Sequence, residues 1–381
     1  MFQIANTAAA LFELPVRRQV SCLSSFMGKG GGADKDPLLI SPLCALQGGE
    51  RTFPVRRLSR LLLVVLLSCL LPRQGEAQTP REISAASYVE RAQGFVTKRD
   101  FKRAVADFGI ALQFDPHSAN AYFGRGIVRQ MSGELQSAIS DYSTAIELNP
   151  KFALAYSNRA HVRSHSGELD AALLDYERAL ELNPRLTEAL NGRGAVRGRK
   201  GDIQGALRDL DSAIGISPRF AQAFLNRGIA RHAKGDLPGS IADFDRAIEL
   251  DPQMSEAYRA RGDVRSDQRE FDRSIGDYSK ALQINPNDAK AYLNRGSMRV
   301  ARGDVRDGLP DYDRAIQLDP AKALAYANRG WARLLLGDEL GADKDFERCF
   351  KLDGTLRVQF EGLVNKLKRQ VSEKSNPGNQ P

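Results

Sequence analysis

Arginine and aspartate recur sixteen residues apart in this chain, eight times over, from Arg91 with Asp107 to Arg329 with Asp345. A guanidinium is a rigid fork that grips a carboxylate with two parallel N–H donors and has a further donor to spare for a backbone carbonyl. Two kinds of chemistry are open to such residues: internal ion pairing or the binding of external anions. Each arginine has an acid at the same offset, so a structural ladder is the reading adopted, with Arg159 and Asp175, Arg227 and Asp243, and Arg295 and Asp311 as its type pairs. A second arginine follows four residues after the first in seven of the eight cases, Arg129 to Arg333, with Phe95 the exception.

Other candidates are sparser. Asn158, Asn226, Asn294 and Asn328 precede four of the arginines by one residue, and each amide can both donate to and accept from a peptide backbone. They serve either a bound backbone or the neighbouring helices. His161 and His165 are one helical turn apart, a spacing that suits a metal, but the pattern brings no third His or Cys near them, so no metal site is expected. Three of the four cysteines (Cys22, Cys44, Cys69) precede the repeating region, leaving neither a disulfide framework nor a zinc motif. The chain shows no phosphate loop, nucleophile elbow or paired acid and base, and no cofactor motif, which points to a protein that is not an enzyme.

The elements that must hold these residues are set by proline. Pro116, Pro150, Pro184, Pro218, Pro252, Pro286 and Pro320 fall at intervals of 34, defining eight units that begin at Ala85, Ala119, Ala153, Thr187, Ala221, Ser255, Ala289 and Ala323. A unit of that length with helical patterning is a helix–turn–helix. Counted from the unit's first residue, an aromatic or large residue stands at position four (Leu190 in the fourth unit) and small residues such as Gly126 at position eight. The second helix places Ala138, Tyr142 and Ala145 along one face at i, i+4, i+7. Glycines such as Gly133 and Gly201 suit a left-handed helix cap between the two, and the proline stops the second helix. Pro310, inside the second helix of the seventh unit, should weaken the start of that helix.

These motifs resemble the tetratricopeptide repeat family, in eight copies over 85–356. The resemblance implies an all-α fold, a right-handed α-solenoid of tandem helix pairs with a C-terminal capping helix over 357–373. It also implies a concave groove lined by first helices, used to bind an extended peptide or another protein. On that geometry positions two, five, six, nine, twelve and thirteen face the groove. The asparagines then form a row resembling the ladder in the O-linked N-acetylglucosamine transferases, and Phe123, Ile127, Met131, Leu225, Leu293 and Trp331 become apolar anchors. Contact with the capping helix is the other reading of Trp331. The family's carboxylate clamp needs a lysine where this chain has Ser157, Asn191, Leu225 and Leu293, so that site is missing. The function implied is a scaffold or adaptor. The alternative is a binder of anionic cell-envelope polymers through groove arginines.

Composition narrows the partner. Of the formal net charge of +8, half lies in residues 1–77, which hold nine Lys/Arg and five Asp/Glu. The remaining excess is spread over a long array, which argues against nucleic acid. Arg56 to Arg60 are followed by the apolar run at 61–71 and small residues ending at Ala77, the pattern of a secretory signal peptide over 56–77. Eleven apolar residues fall short of the roughly twenty that span a bilayer, so no transmembrane anchor is expected. The localisation implied is periplasmic or secreted, with a lipid anchor at Cys69 as the alternative. Residues 1–55 read as a disordered extension or a misplaced translation start, 78–84 as a linker and 374–381 as a disordered tail. Edman sequencing or mass spectrometry of the exported protein should return a chain starting at or near Gln78. An intact N-terminus recovered from the cytosol would overturn the signal assignment.

Overall fold

An Asn or Asp stands before most of the periodic prolines, and that pair of residues shapes every junction between repeats. The residue before proline is pushed out of the helical region. Asn149 and Asn183 accordingly sit at φ −137° and −143°. The side-chain oxygen of each then accepts the N–H two residues on, at 3.1 Å, which turns the chain into the next helix. The computed structural model describes residues 84–375. The extension at 1–55, the signal at 56–77 with Cys69, almost all of the linker and the end of the tail lie outside the described residues.

The described residues fold as helices alone, joined in antiparallel pairs, and divide at Pro218 into two units. The N-terminal unit holds the pairs Ala85–Thr97 with Phe101–Phe114, Ala119–Met131 with Leu135–Leu148, Ala153–His165 with Leu169–Leu182, and Thr187–Arg199 with Ile203–Ile216. The C-terminal unit holds Ala221–Lys234 with Leu237–Leu250, Ser255–Asp267 with Phe271–Ile284, Ala289–Arg302 with Val305–Leu318, Ala323–Leu335 with Glu339–Leu352, and a final helix, Thr355–Ser375. The seventh repeat's second helix runs through Pro310 and starts at Val305, in register with its counterparts. Packing of Tyr312 and Ala315, each 2% exposed, holds it there.

Within each pair the two helices touch at position eight. A Cβ on Gly126 would lie 2.7 Å from the ring of Tyr142, so only glycine admits this approach. The turn between helices uses a left-handed residue. Six repeats supply glycine, whereas Arg99 and Arg269 take φ 58° and 59° in the first and sixth. That conformation costs a non-glycine residue about 1 kcal/mol.

The arginine at position seven makes the same contact in all eight repeats: Nε and Nη2 donate to the two carboxylate oxygens of the aspartate at position twenty-three. In the third repeat Arg159 Nε lies 2.9 Å from Asp175 Oδ2 and Nη2 lies 2.7 Å from Oδ1. Arg227 holds Asp243 at 3.0 and 2.7 Å, and Arg295 holds Asp311 at the same two distances. The arginine at position eleven adds a third donor, as Arg163 does to Asp175 at 2.8 Å. Arg231 and Arg333 extend the same Nη1 to the carbonyls of Gly239 and Gly341. The aspartates are only 2–5% exposed.

Two further contacts of the position-seven arginine are absent from the sequence reading. Its Nη1 reaches back to the preceding repeat, from Arg159 to Ser143, Arg295 to Ser279 and Arg329 to Asp313. Its flat face lies over the aromatic ring at position four, 5.6 Å from the centroid for Arg159 and Tyr156. The i, i+3 spacing of ring and arginine was the available signal.

The final helix packs against the eighth repeat through Val364 and Phe360, which join Leu334, Ala342 and Phe346. Cys349, buried at the position held elsewhere by alanine, has its thiol pushed up to about 11 by burial and by nearby Asp353.

Asp243 is 3% exposed, between two guanidiniums. Asp243→Ala therefore leaves Arg227 and Arg231 without their shared anion and should cost about 2–4 kcal/mol in chemical or thermal unfolding. A loss within a few tenths of a kcal/mol would show that the pair is solvated.

Candidate functional site

The polar residues at positions six and nine of the first helices are tied from repeat to repeat in the C-terminal unit. In the C-terminal unit Asn294 Nδ2 donates to Asp263 Oδ1 of the preceding repeat at 3.0 Å, and Asn328 Nδ2 to Ser297 Oγ at 3.0 Å. Each acceptor, at position nine, also receives the phenol of its own repeat's position twenty-four: Tyr278 to Asp263 at 2.7 Å and Tyr312 to Ser297 at 3.4 Å. Burial raises both tyrosines well above their ordinary pKa, so the phenols remain donors. Half of each asparagine amide is thereby committed to the fold.

Around Asp263 the face becomes acidic. Arg259 lies 3.6 Å from Asp263 Oδ2 and 3.2 Å from Asp288 Oδ2, and His232 Nε2 lies 2.7 Å from Asp267 Oδ2. The Asp263 side chain is 31% exposed and that of Asp267 26%. Burial raises Asp263 above the ordinary carboxylate range, against the opposing pull of Arg259, Tyr278 and Asn294. Two carboxylates thus share one guanidinium and a third pairs with an imidazole, an arrangement that favours a further cationic side chain.

The N-terminal unit presents a different face. Asn158 neighbours the Tyr142 phenol, which donates to Gln130 Oε1 at 2.7 Å. His161 and His165 meet edge to face with centroids 4.6 Å apart. Burial lowers His161 to about 3, with His165 adding to the effect.

The residues expected from the sequence as apolar anchors differ in how much surface the packing leaves them. Phe123 lies in the core, 4.7 Å from the Phe152 ring and 5.8 Å from that of Tyr142, and Ile127 packs on the same cluster. Leu225 and Leu293 are 3% and 8% exposed. Position five points between helices and not outward, so these side chains hold the array and offer little to a ligand. Met131 is half-buried. Trp331 stands edge-on to Phe346 and Phe360 at 5.4 and 6.4 Å, against the final helix. Asn226 is 4% exposed, whereas Asn158, Asn294 and Asn328 are half-buried. Sequence reasoning missed Arg259, Asp263, Asp267 and Asp288, because none recurs at its position and only a recurrence drew attention. Asp263 and Asp267, of one sign and four residues apart on one helix face, were the usable signal.

A family model described as tetratricopeptide repeat matches residues 153–186, and another of the same description matches 89–151 and 191–255. A tetratricopeptide repeat protein of solved structure from Parabacteroides merdae is similar with a TM-score of 0.54 and 23% identity, covering 65% of this chain and 98% of that one. The Cut9–Hcn1 hetero-tetramer of the APC/C gives 0.59 and 13%, covering 77% of this chain and 57% of that one. At such identities the likeness is one of fold. No curated protein matches the chain by sequence.

A histidine held below its ordinary pKa binds its proton more readily in the unfolded chain, so acid favours unfolding between about pH 6.5 and 3. His161→Gln should remove that term. Its stability deficit at pH 4 relative to pH 7 should be smaller than wild type's by about 3 kcal/mol, read from denaturant titrations at the two values. Parallel pH profiles for the two proteins would refute the assignment.

Proposed function

Tetratricopeptide repeats build this helical array, and we propose that the chain is a non-catalytic scaffold holding another protein by an extended segment along the first-helix face. The repeats support a protein-interaction role. The observation that carries the finer reading is the acidic group at Asp263, Asp267 and Asp288, partly exposed and under-neutralised by Arg259. A lysine or arginine of the segment would complete the charge balance there. Neutral backbone contacts, at about 0.5–1.5 kcal/mol each, would not offset the several kcal/mol spent ordering a flexible segment. A charge-assisted contact, at about 1.5–3 kcal/mol, shifts that balance.

The second reading, binding of anionic envelope polymers through arginines, gains little from the arrangement. The arginines at positions seven and eleven are already held by buried aspartates. On the strength of the signal pattern at 56–77 the scaffold is proposed to work outside the cytoplasm. Among the described residues no helix is long and apolar enough to cross a membrane.

The test uses immobilised mature protein, envelope extract, and a double variant, Asp263→Asn with Asp267→Asn, which keeps acceptors for Tyr278 and His232. Proteins retained by wild type should bind the variant about tenfold or more weakly, with melting unchanged. Equal retention by both would remove the acidic face from the account. Retention of polyanions, collapsing steeply with salt, would favour the second reading.

A further inference from the structure

Seven of the eight repeats place an aromatic ring at position four under the position-seven guanidinium, 4.8–5.7 Å from its carbon to the ring centroid. The fourth repeat has Leu190 there, and its arginine, Arg193, has no ring beneath it. The eighth repeat shows where the far end of such a ring goes: the Tyr326 hydroxyl donates to the carbonyl of Pro320, the proline closing the preceding repeat, at 3.3 Å. In the fourth repeat the corresponding region is open. A surface cavity of about 440 Å³ is lined by Leu180, Leu190, Pro184, Arg193, Glu177 and Glu181, and Pro184 is the counterpart of Pro320.

The guanidinium above this cavity is held as firmly as the others. Arg193 Nε and Nη2 bind Asp209 at 2.9 and 2.7 Å. Its Nη1, however, makes none of the backward contacts that Arg159, Arg295 and Arg329 make. The floor is apolar, with Leu180 and Leu190 at 7% and 6% exposure. The slot therefore has a cationic wall, an apolar floor and a proline carbonyl at the position where the ring hydroxyl of the eighth repeat donates.

We infer that this slot receives a tyrosine side chain from another protein, which takes the place the array's own ring takes elsewhere. The ring face lies against Arg193 and the hydroxyl donates to the Pro184 carbonyl. Glu177 and Glu181 line the same cavity; Glu177 lies 3.9 Å from Arg197 and Glu181 pairs with Arg178 at 2.7 Å, but both side chains stay partly exposed, so a basic residue next to that tyrosine competes for them at the rim. The slot is built from the second helix of one repeat and the first of the next, apart from the acidic face around Asp263, so it stands or falls independently of the function proposed above.

The probe is a synthetic pentapeptide, N-acetyl-Gly-Lys-Tyr-Lys-Gly-amide, titrated into the full chain carrying methyl-labelled leucine and isoleucine. Saturable shifts are expected at the Leu180 and Leu190 methyls, with affinity at least fivefold weaker when leucine replaces the tyrosine and weaker again when glutamates replace the lysines. Leu190→Tyr restores the ring that the other repeats carry and should lower affinity at least tenfold without lowering the melting temperature. Glu177→Gln with Glu181→Gln, both at the surface, should abolish the preference for lysine flanks while retaining that for tyrosine, which gives a reading even should Leu190→Tyr fold poorly. Equal binding of the tyrosine and leucine peptides, unchanged binding by a folded Leu190→Tyr protein, or no shift at the slot would each overturn the inference.

Discussion

A buried carboxylate in every repeat requires compensating charge, and the rest of the array is arranged around meeting that requirement. An aspartate 2–5% exposed would be costly alone. In seven of the eight repeats two guanidiniums from the facing helix satisfy it, through Nε and Nη2 of one arginine and Nη1 of the next, and in the first repeat Arg91 alone does so. Those arginines must come from positions four residues apart on one helix face, which fixes positions seven and eleven. The aspartate sits beside the position-twenty-four side chain, so the helices approach closely enough to demand glycine at position eight in most repeats. The first arginine then sandwiches a ring on one side and, in several repeats, reaches the preceding repeat on the other. Only where no repeat precedes is it mostly exposed, as with Arg91 at 56% against 14% for Arg159.

With the arginines engaged in this way, recognition falls to the positions the lattice leaves over. Asparagine and tyrosine link neighbouring repeats through position nine, and that network sets the register of the polar face without filling it. What differs between repeats is then the place to look for function, because stacking needs the same residue everywhere and a partner does not. Asp263 is such a departure, in a network that uses Ser297 one repeat later. Leu190 is another, in a column otherwise aromatic.

The strength of a repeat pattern determined what the sequence could reveal. Pro150 and Pro184 mark helix ends because proline acts locally, and the sixteen-residue spacing of Arg159 and Asp175 was visible before the contact between them was. Rotation of a helix about its axis was less legible. Phe123 and Leu293 were assigned to a ligand-facing row, yet position five is turned into the packing between helices, a matter of a few tens of degrees that no single helix's pattern settles. The asparagines posed a similar problem, since the partner of Asn294 stands 31 residues earlier on another helix. The left-handed turns at Arg99 and Arg269 escaped notice because the glycine rule names the preferred residue and not the conformation required.

The central claim is that the position-seven arginines are interior ties and not ligand contacts. Arginine Nε–H resonances report on this directly, because the Nε–H of each donates to a buried aspartate at 2.6–3.1 Å. The measurement is hydrogen exchange and chemical shift at those Nε–H groups, before and after addition of a polyanion such as polyphosphate. The account predicts slow exchange in the interior repeats and unchanged shifts in the presence of the polyanion. Rapid exchange together with saturable shifts on addition would show that these arginines face solvent and bind anions, and would contradict it.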